Sequence, residues 1–216
     1  MQHPAGGRGP DHSSALAQYR RRASGYDREL ALFEPVRRKA IECLTLRAGD
    51  TVLDLGCGTG LSFGPLLSRI GETGSIVSIE LSPEMLARAR QRVEASHWAN
   101  VSLVCAPVEA ARIAVMADAA LFHFTHDIVR DPKAIAHVLR HLRPGARVVA
   151  TGLQWAPPWL WPTNGFVLLA ALYSVSSLEG LARPWDRLMG HLRDVQVDST
   201  MIGGVYIASG IYQPHA

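Results

Sequence analysis

One segment, residues 51–60, constrains the fold of this chain more than any other, and it reads Thr-Val-Leu-Asp-Leu-Gly-Cys-Gly-Thr-Gly. Its first half is a short apolar run around Asp54, which predicts a buried strand. Its second half alternates glycine with small residues and predicts a turn with almost no side-chain bulk. Such a turn lets a ligand lie against the backbone, beside the free N–H groups of a following helix. The segment therefore predicts a ligand site between a strand and a helix.

The spacing of the residues around this turn narrows the kind of ligand. Residues 75–80 form the next apolar run, which ends at Glu80. An acidic residue about 20 positions after such a turn accepts hydrogen bonds from ribose hydroxyls in α/β nucleotide sites. The glycines follow the pattern G-x-G-x-G, and Leu61 and Phe63 stand where G-x-G-x-x-G would need another glycine. This spacing argues against a dinucleotide such as NAD, and hence against a nucleotide-dependent oxidoreductase.

Strand and helix patterns alternate through the middle of the chain. Strands are predicted at residues 51–55, 75–80, 101–105, 119–124 and 146–152, and helices at about 61–70, 83–95 and 132–142. This alternation predicts an α/β fold with a doubly wound, mostly parallel sheet and helices on both faces. Further strand patterns follow at 193–198 and 204–211. Ser82-Pro83 and Asp131-Pro132 are each typical of a helix start.

Two segments resemble those of a known family. The sequence V-L-D-L-G-C-G-T-G closely resembles motif I of the class I S-adenosylmethionine (SAM)-dependent methyltransferases, and residues 79–86 resemble the segment that follows it. The resemblance covers roughly residues 19–152. It implies a Rossmann-like, seven-stranded sheet that the last two strands complete as an antiparallel pair, with a small helical cap. It also implies an enzyme with SAM as its cofactor.

The resemblance further implies where SAM would bind. In this family the glycine turn faces the methionyl end of SAM and the acidic residue holds the ribose. Pro107 departs from the family pattern, because an acidic residue that contacts the adenine is common there. Adenine recognition is then expected from the backbone of Val108, from Glu109, or from Leu81 and Cys105. The implied cofactor-binding residues are Tyr19, Tyr26, Asp54, Gly56, Cys57, Gly58, Gly60, Glu80, Leu81, Met85, Pro107, Val108 and Phe122.

The N-terminal part of the chain carries a third similarity. Residues 19–27 resemble a Y-x-x-x-A-x-x-Y-D pattern that precedes motif I in many small-molecule methyltransferases. The rings of Tyr19 and Tyr26 would then lie near the sulfonium cation, which an aromatic ring can stabilise. The alternative is that both rings only pack a helix. The surrounding residues 14–46 predict a helical region with breaks near Ser24 and at Pro35.

Two histidines follow the fourth predicted strand, at the edge where open α/β sheets bind ligands. Neutral imidazole suits proton abstraction near pH 7, so His123 and His126 are the candidates for a catalytic base, with Asp127 as an orienting group. The alternative is that these residues pack the cofactor or serve the fold. Methyl transfer can also proceed by alignment alone, since SAM supplies the leaving group.

No charged residue occurs between Trp155 and Leu178, and this segment is rich in aromatic residues. Prolines and its short apolar helix argue against a membrane span, which needs ~20 apolar residues. The resemblance implies a substrate lid, and an aromatic lid favours an apolar acceptor. A dimer interface and a membrane-surface patch remain as alternatives. The predicted lid residues are Trp155, Trp159, Phe166 and Tyr173.

Composition and charge limit the remaining functions. The net charge is +3, and the densest basic group lies around residues 20–39, where Arg37 and Arg38 are predicted on a solvated helix face rather than a nucleic-acid surface. The three cysteines lack metal or disulfide spacing and predict reduced thiols in the cytoplasm. No apolar signal-peptide core is present. No metal site is predicted.

The expected organisation is a disordered segment at residues 1–13 and a single domain at 14–216, with cap elements at about 14–46 and 155–190. The predicted function is methyl transfer from SAM to oxygen or nitrogen of a small or medium-sized, partly apolar acceptor. A non-catalytic SAM-binding protein of the same fold, and a phospholipid or quinone-type lipid methyltransferase, are the alternatives. The sequence leaves open whether the protein is a monomer or a homodimer.

Overall fold

The computed structural model describes residues 30–174, 178 and 180–214, with Tyr173 and Ser174 described by their backbone alone. The segment at 1–13 that is predicted to be disordered, Tyr19 and Tyr26 lie outside the described residues. The strands are β1 (Thr51–Leu55), β2 (Ser75–Glu80), β3 (Val101–Cys105), β4 (Ala117–His123), β5 (Leu142–Leu153), β6 (Leu192–Thr200) and β7 (Val205–Tyr212). The α-helices are α1 (Glu34–Cys43), α2 (Phe63–Ile70), α3 (Pro83–Ala95), α4 (His126–Arg130), α5 (Pro132–Leu139), α6 (Trp161–Ser174) and α7 (Asp186–Met189).

The strands form a seven-stranded sheet in the order β3-β2-β1-β4-β5-β7-β6. The first five strands pair in parallel, and β7 runs antiparallel to both β5 and β6. The predicted α/β fold, with its final antiparallel pair, is confirmed. The order reverses between β1 and β4, so the helices that follow these strands cover opposite faces. A crevice opens at their carboxyl ends, which is where folds of this type bind ligands.

Proline and a polar cap begin two of the helices. The Ser82 hydroxyl accepts a hydrogen bond from the Met85 N–H at 3.3 Å, and Pro83 follows in the first turn of α3. The Asp131 carboxylate does the same for the Lys133 N–H at 2.9 Å, ahead of α5. Both predicted helix starts are confirmed. The predicted break of the helical region at Pro35 agrees with the start of α1 at Glu34, because Pro35 lies in the first turn of this helix, where no N–H is needed.

The largest difference from the predicted boundaries lies between helix α5 and strand β5. Helix α5 ends at Leu139 rather than at residue 142, and β5 already begins at Leu142. Leu142 is buried and pairs with Ala117 of β4. Because this pairing extends the strand, Leu142 belongs to β5 and not to the helix. Local sequence could not indicate this, since the partner strand is distant along the chain.

Two hydrophobic layers cover the sheet. Helices α4, α5 and α7 bury residues such as Val129, Ile135 and Leu188 on one face. Helices α1, α2, α3 and α6 bury residues such as Ile41 and Phe63 on the other. Helix α6 contributes only a narrow stripe to this layer, and much of its apolar surface is exposed. In the part of the chain that the structure describes, no helix is both long and apolar enough to cross a membrane.

The burial of Arg37 corrects one prediction. Its side chain is only 2% exposed, because it lies on the same face of α1 as Val36, Ala40 and Ile41, which pack onto the sheet. Arg37 forms an ion pair with Glu34. The prediction of a solvated face holds for Arg38, which is exposed, but is wrong for Arg37.

Candidate functional site

A cleft lies where the carboxyl ends of β1 and β4 meet. The glycine turn at residues 56–60 forms one wall, and the residues that end and follow β4 form another. The beginning of the described chain and helix α1 close the cleft from the side. The residues that line it are Leu30, Arg37, Asp54, Gly56, Cys57, Gly58, Thr59, Leu61, Ser62, His123 and Phe124.

The glycine turn is shaped largely by the protein's own packing. Gly56 has φ +70°, and a Cβ built on it would lie 2.5 Å from Cγ2 of Thr125. A Cβ on Gly60 would collide with the ring of Phe63. The interpretation that Gly56 lacks a side chain to admit a ligand therefore needs correction, since Thr125 occupies that space. Gly58, with φ +57°, lines the cleft together with the backbone of Gly56.

Glu80 ties the end of β2 to the glycine turn. Its carboxylate accepts the Gly58 N–H at 2.9 Å on one oxygen and the Ser82 N–H at 2.8 Å on the other. Burial raises the pKa of Glu80, and these backbone hydrogen bonds oppose the rise. Each oxygen keeps a second lone pair, so the carboxylate can still accept hydroxyl donors. Its role toward ribose stays a prediction.

Asp54 and Arg37 bring opposite charges to the cleft. Asp54 is only 1% exposed, and its Oδ2 has no hydrogen-bond partner within the described residues. Burial raises the pKa of Asp54 to about 7, while Arg37 acts to lower it and Glu80 to raise it. The Nε of Arg37 is likewise buried without a partner there. A buried polar atom without a partner is costly, so both atoms are suited to meet a polar ligand.

His123 lines the same cleft in a restrained position. Its Nδ1 lies 2.8 Å from the hydroxyl of Thr151, and its Nε2 is buried with no partner among the described residues. Burial lowers the pKa of His123 to about 3, and the charge of Arg37 adds to this effect. The imidazole is therefore neutral at physiological pH. Its ring packs edge-on against Phe124, with the ring centres 4.9 Å apart.

Comparison with known proteins adds an independent finding. Residues 52–145 match a family described as a methyltransferase domain. The chain is 31% identical over 88 residues to aklanonic acid methyltransferase DauC from Streptomyces sp. strain C5, which covers 40% of each chain. It is 30% identical over 131 residues to the ubiquinone/menaquinone biosynthesis C-methyltransferase UbiE from Salmonella arizonae, which covers 59% of this chain and 51% of the relative. The matches thus span about half of these relatives or less.

A solved structure agrees with the sequence matches. The crystal structure of a SAM-dependent methyltransferase from Aquifex aeolicus superposes with a TM-score of 0.54 at 20% identity, and the match covers 81% of this chain and 88% of that one. At this identity the likeness concerns the fold alone. Residues 52–145 therefore match a methyltransferase domain, and the fold is shared with a solved SAM-dependent methyltransferase. The cleft lies at the carboxyl ends of the strands, where open α/β sheets bind ligands.

The second candidate base, His126, begins helix α4 and is buried. Its Nε2 lies 3.3 Å from Nη1 of Arg130. His126 does not line the cleft as the structure defines it. A catalytic role for either histidine stays a prediction.

The remaining predicted cofactor residues, apart from those of the glycine turn, lie around rather than in the cleft. Met85 is buried at the start of α3, and Phe122 is fully buried in the core. Val108 begins the 3-10 helix Val108–Ala110, with Pro107 just before it, and its side chain packs into the core. Leu81 is half-buried. Cys57 does line the cleft, and burial raises its thiol pKa far above the ordinary value.

The predicted lid residues do not line this cleft either. Trp155 is half-buried against the core, and its backbone N–H donates to the carbonyl of Leu181 at 2.9 Å. Trp159 is 77% exposed and Phe166 is 44% exposed. The side chain of Tyr173 lies outside the described residues. Whether this segment closes over an acceptor stays a prediction.

Sequence reasoning missed several polar residues in or beside the cleft, among them Arg37 and Thr151. Arg37 could have been found from its place beside Val36 on the apolar face of a helix. Thr151 pairs with His123 across strands 28 residues apart, and no local pattern indicates such a contact. Within the described residues, no group of three or more His, Cys, Asp or Glu is arranged to hold a metal ion.

Proposed function

We propose that this chain is an enzyme that transfers a methyl group from SAM to oxygen or nitrogen of a small or medium-sized, partly apolar acceptor. The observation that supports this most is the pair of partnerless buried atoms in the cleft, Nε of Arg37 and Oδ2 of Asp54. A donor and an acceptor in one cleft match the carboxylate and the ammonium group of an amino acid. The methionyl end of SAM carries both groups.

The other residues fit SAM in the same orientation. Glu80 would accept the ribose hydroxyls with its free lone pairs. The adenine would lie toward Leu81, Met85, Pro107 and Val108, and Phe122 would support the base of the cleft. The backbone of Gly58 and Gly60 and the side chain of Cys57 would border the methionyl chain. Tyr19 and Tyr26 are proposed to lie near the sulfonium from the segment that precedes Leu30.

SAM supplies a methyl group on a positively charged sulfur, and the chain's own residues bind and align the reactants. Alignment removes much of the entropic barrier of a two-substrate reaction. Where the acceptor loses a proton, His126 is the better candidate base, because the low pKa of His123 makes that residue a poor one. The buried position of His126 beside Arg130 means that the acceptor would have to approach α4.

The acceptor class follows from the aromatic segment at residues 155–178. An apolar lid of Trp155, Trp159, Phe166 and Tyr173 would favour an aromatic or otherwise apolar molecule. The protein is proposed to be cytoplasmic, to act on a small molecule rather than on nucleic acid, and to be a monomer or a homodimer.

A quinone-type lipid acceptor is a second candidate. The similarity to UbiE supports it, as do the exposed side chains of Trp159, Trp161 and Leu169, which could meet a lipid surface. In that case the methylated atom would be carbon, as the printed name of that relative indicates. A non-catalytic SAM-binding protein is a third candidate, because Pro107 stands where an acidic residue is common.

Calorimetry with SAM, S-adenosylhomocysteine and NAD tests the cofactor. We expect binding of the first two and none of NAD. Binding of NAD alone would reject the proposal.

A turnover assay tests the reaction. S-adenosylhomocysteine release is measured with a panel of catechol, an aromatic carboxylic acid, an aromatic amine and a short-chain quinol. Release with catechol, the acid or the amine supports transfer to oxygen or nitrogen. Release with the quinol calls for mass spectrometry of the product to distinguish carbon from oxygen methylation. Cofactor binding with no release from any of the four would favour the non-catalytic alternative.

A further inference from the structure

The hydrogen bond between His123 and Thr151 has only two possible directions. Nδ1 and the hydroxyl oxygen are 2.8 Å apart, and the two residues are direct partners in the pairing of β4 with β5. Thr151 is fully buried. Either the hydroxyl donates to Nδ1, or a protonated Nδ1 donates to the hydroxyl.

The two directions differ in which donor stays unpaired. If Nδ1–H donates, the unpaired donor is the hydroxyl of Thr151, a residue that is fully buried and does not line the cleft. If the hydroxyl donates, the unpaired donor is the Nε2–H of His123, which lines the cleft, where a ligand can accept it. Because a buried donor that never finds an acceptor is costly, the second arrangement is favoured. Thr151 therefore holds His123 in the Nε2–H tautomer.

In this tautomer, His123 presents a hydrogen-bond donor to the cleft. The Nε of Arg37, another buried donor without a partner, lines the same cleft. Asp54 is the acidic group that faces them, and its Oδ2 is not bonded to either donor. Two donors that line one cleft and have no partner among the described residues are suited to bind a carboxylate.

We infer that His123 is a binding residue for the methionyl carboxylate of the cofactor, which it contacts through Nε2–H beside Arg37, and that Thr151 is the positioning residue that sets its tautomer. This deepens the proposed function and rests on it. It also changes the role of His123 from candidate base to ligand donor. The low pKa of His123 agrees, since a neutral imidazole is needed for one nitrogen to accept and the other to donate.

The tautomer can be measured directly, without any ligand. Two-bond 1H–15N correlation spectra of protein labelled with 15N-histidine distinguish Nδ1–H from Nε2–H, and the exposed His191→Gln variant assists assignment. We expect Nε2–H for His123 from pH 5.5 to 8, and the same in Thr151→Ser. In Thr151→Val, which keeps the shape but has no hydroxyl, we expect a mixture of tautomers. An Nδ1–H signal in the unaltered protein, or titration of His123 near pH 6.5, would overturn the inference.

The ligand group can be identified with two probes that differ in one part. S-adenosylhomocysteine has the amino-acid group, whereas 5′-methylthioadenosine lacks it. His123→Leu should reduce the affinity for S-adenosylhomocysteine at least tenfold and change the affinity for 5′-methylthioadenosine less than twofold. His123→Gln, which retains an N–H donor, should recover most of the lost affinity. Thr151→Val should reduce the affinity for S-adenosylhomocysteine a few-fold, and Thr151→Ser should leave it unchanged.

Other outcomes contradict the inference in distinct ways. Unchanged affinity for both probes would mean that His123 does not contact the cofactor. Equal weakening of both would indicate a general disturbance of the cleft rather than a lost carboxylate contact. If the unaltered protein bound neither probe, the proposed function would fail, whereas the tautomer measurement would still stand by itself.

Discussion

The glycines of this chain differ in what their missing side chain allows. A Cβ on Gly56 would meet Thr125 and Ile128, so this glycine permits the turn to pack against the segment after β4. Gly71 also has a positive φ, +68°, but a Cβ there would meet nothing within 4 Å. Its ψ of −169° lies in a region that is essentially restricted to glycine, so a substitution there tests backbone strain without steric overlap.

Substitution of Gly56 by alanine should destabilise the fold. An alanine with positive φ costs about 1 kcal/mol, and the overlap with Thr125 should add about 1–3 kcal/mol to the loss in unfolding free energy. Gly71→Ala should lose stability through backbone strain alone, about 1–3 kcal/mol. Thr125→Ser, which removes the Cγ2 that the new Cβ meets, should recover part of the stability of Gly56→Ala and none of that of Gly71→Ala. Urea denaturation measures these losses, and no recovery in Gly56→Ala would contradict the packing seen at Gly56.

Replacement of Glu80 should weaken SAM binding. Charge-assisted hydrogen bonds contribute roughly 1.5–3 kcal/mol each, so Glu80→Ala should reduce the affinity at least tenfold by calorimetry. Part of the lost affinity will come from a disturbed glycine turn, because the Glu80 carboxylate also accepts the N–H groups of Gly58 and Ser82. 5′-Methylthioadenosine, which keeps the ribose, should lose as much affinity as SAM. The exposed Glu94→Ala is the control, and a loss below threefold in Glu80→Ala would argue against ribose binding.

Asp54 should make stability depend on pH. Its folded pKa of about 7 lies above the ordinary value, so the folded state binds more protons than the unfolded state between pH 4 and 7. The contribution of Asp54 is therefore most favourable below pH 4 and is lost as the pH rises through 7. Without ligand, Asp54→Asn should be more stable than the unaltered protein at pH 8, with a flatter pH profile. Chemical denaturation from pH 4 to 8 measures this, and an unchanged profile would mean that Asp54 is ionised throughout.

At the scale of the secondary-structure elements, helix α6 carries more exposed large apolar side chains than any other described α-helix. Its buried stripe, with Val167 and Ala171, packs against the sheet, and its other positions expose Phe166, Leu169 and Leu172. Trp159 precedes it in the turn that leads from β5 into the helix. Exposed apolar surface of this extent favours a function in binding.

Trp159→Ala should separate the three roles considered for this segment. If the segment closes over the acceptor, the Michaelis constant for the acceptor should rise about thirtyfold, which corresponds to ~2 kcal/mol for an aromatic anchor, with unchanged SAM affinity. Trp155→Ala is a poorer test, since Trp155 also packs on the core. A changed sedimentation profile with intact catalysis would instead indicate a dimer interface. Loss of liposome binding alone would indicate a membrane-surface patch.

At the scale of the whole molecule, the cleft joins parts that are distant in sequence. Helix α1, the turn after β1 and the end of β4 each contribute residues to it. A ligand that contacts all three should oppose unfolding of the entire sheet rather than of one element.

Cofactor binding should therefore raise the melting temperature. At a concentration 100 times the dissociation constant, a ligand stabilises the folded state by about 2.7 kcal/mol. For a chain of this size that corresponds to about 5–10 °C. Differential scanning fluorimetry with S-adenosylhomocysteine measures the shift, and NAD at the same concentration is the control. An equal shift with NAD would contradict the cofactor assignment.

Local patterns in the sequence were sufficient for the order of the elements. The strand at 51–55, its glycine turn and the helix starts at Pro83 and Pro132 depend on neighbouring residues, and all were predicted. The resemblance to methyltransferases rests on the same short segments, and residues 52–145 match a methyltransferase domain. The sequence by itself thus determined the fold class and predicted a ligand site at the strand ends, where the structure has a cleft.

Only the tertiary structure decided which polar groups face the cleft. Arg37 is buried because one side of α1 packs on the sheet, and Thr125 fills the space above Gly56 from a segment 69 positions away (125 − 56). The bond between His123 and Thr151 exists because β4 and β5 pair in one register. Such contacts depend on how distant elements pack, and packing decides which groups lose their water and which keep a free hydrogen-bonding atom.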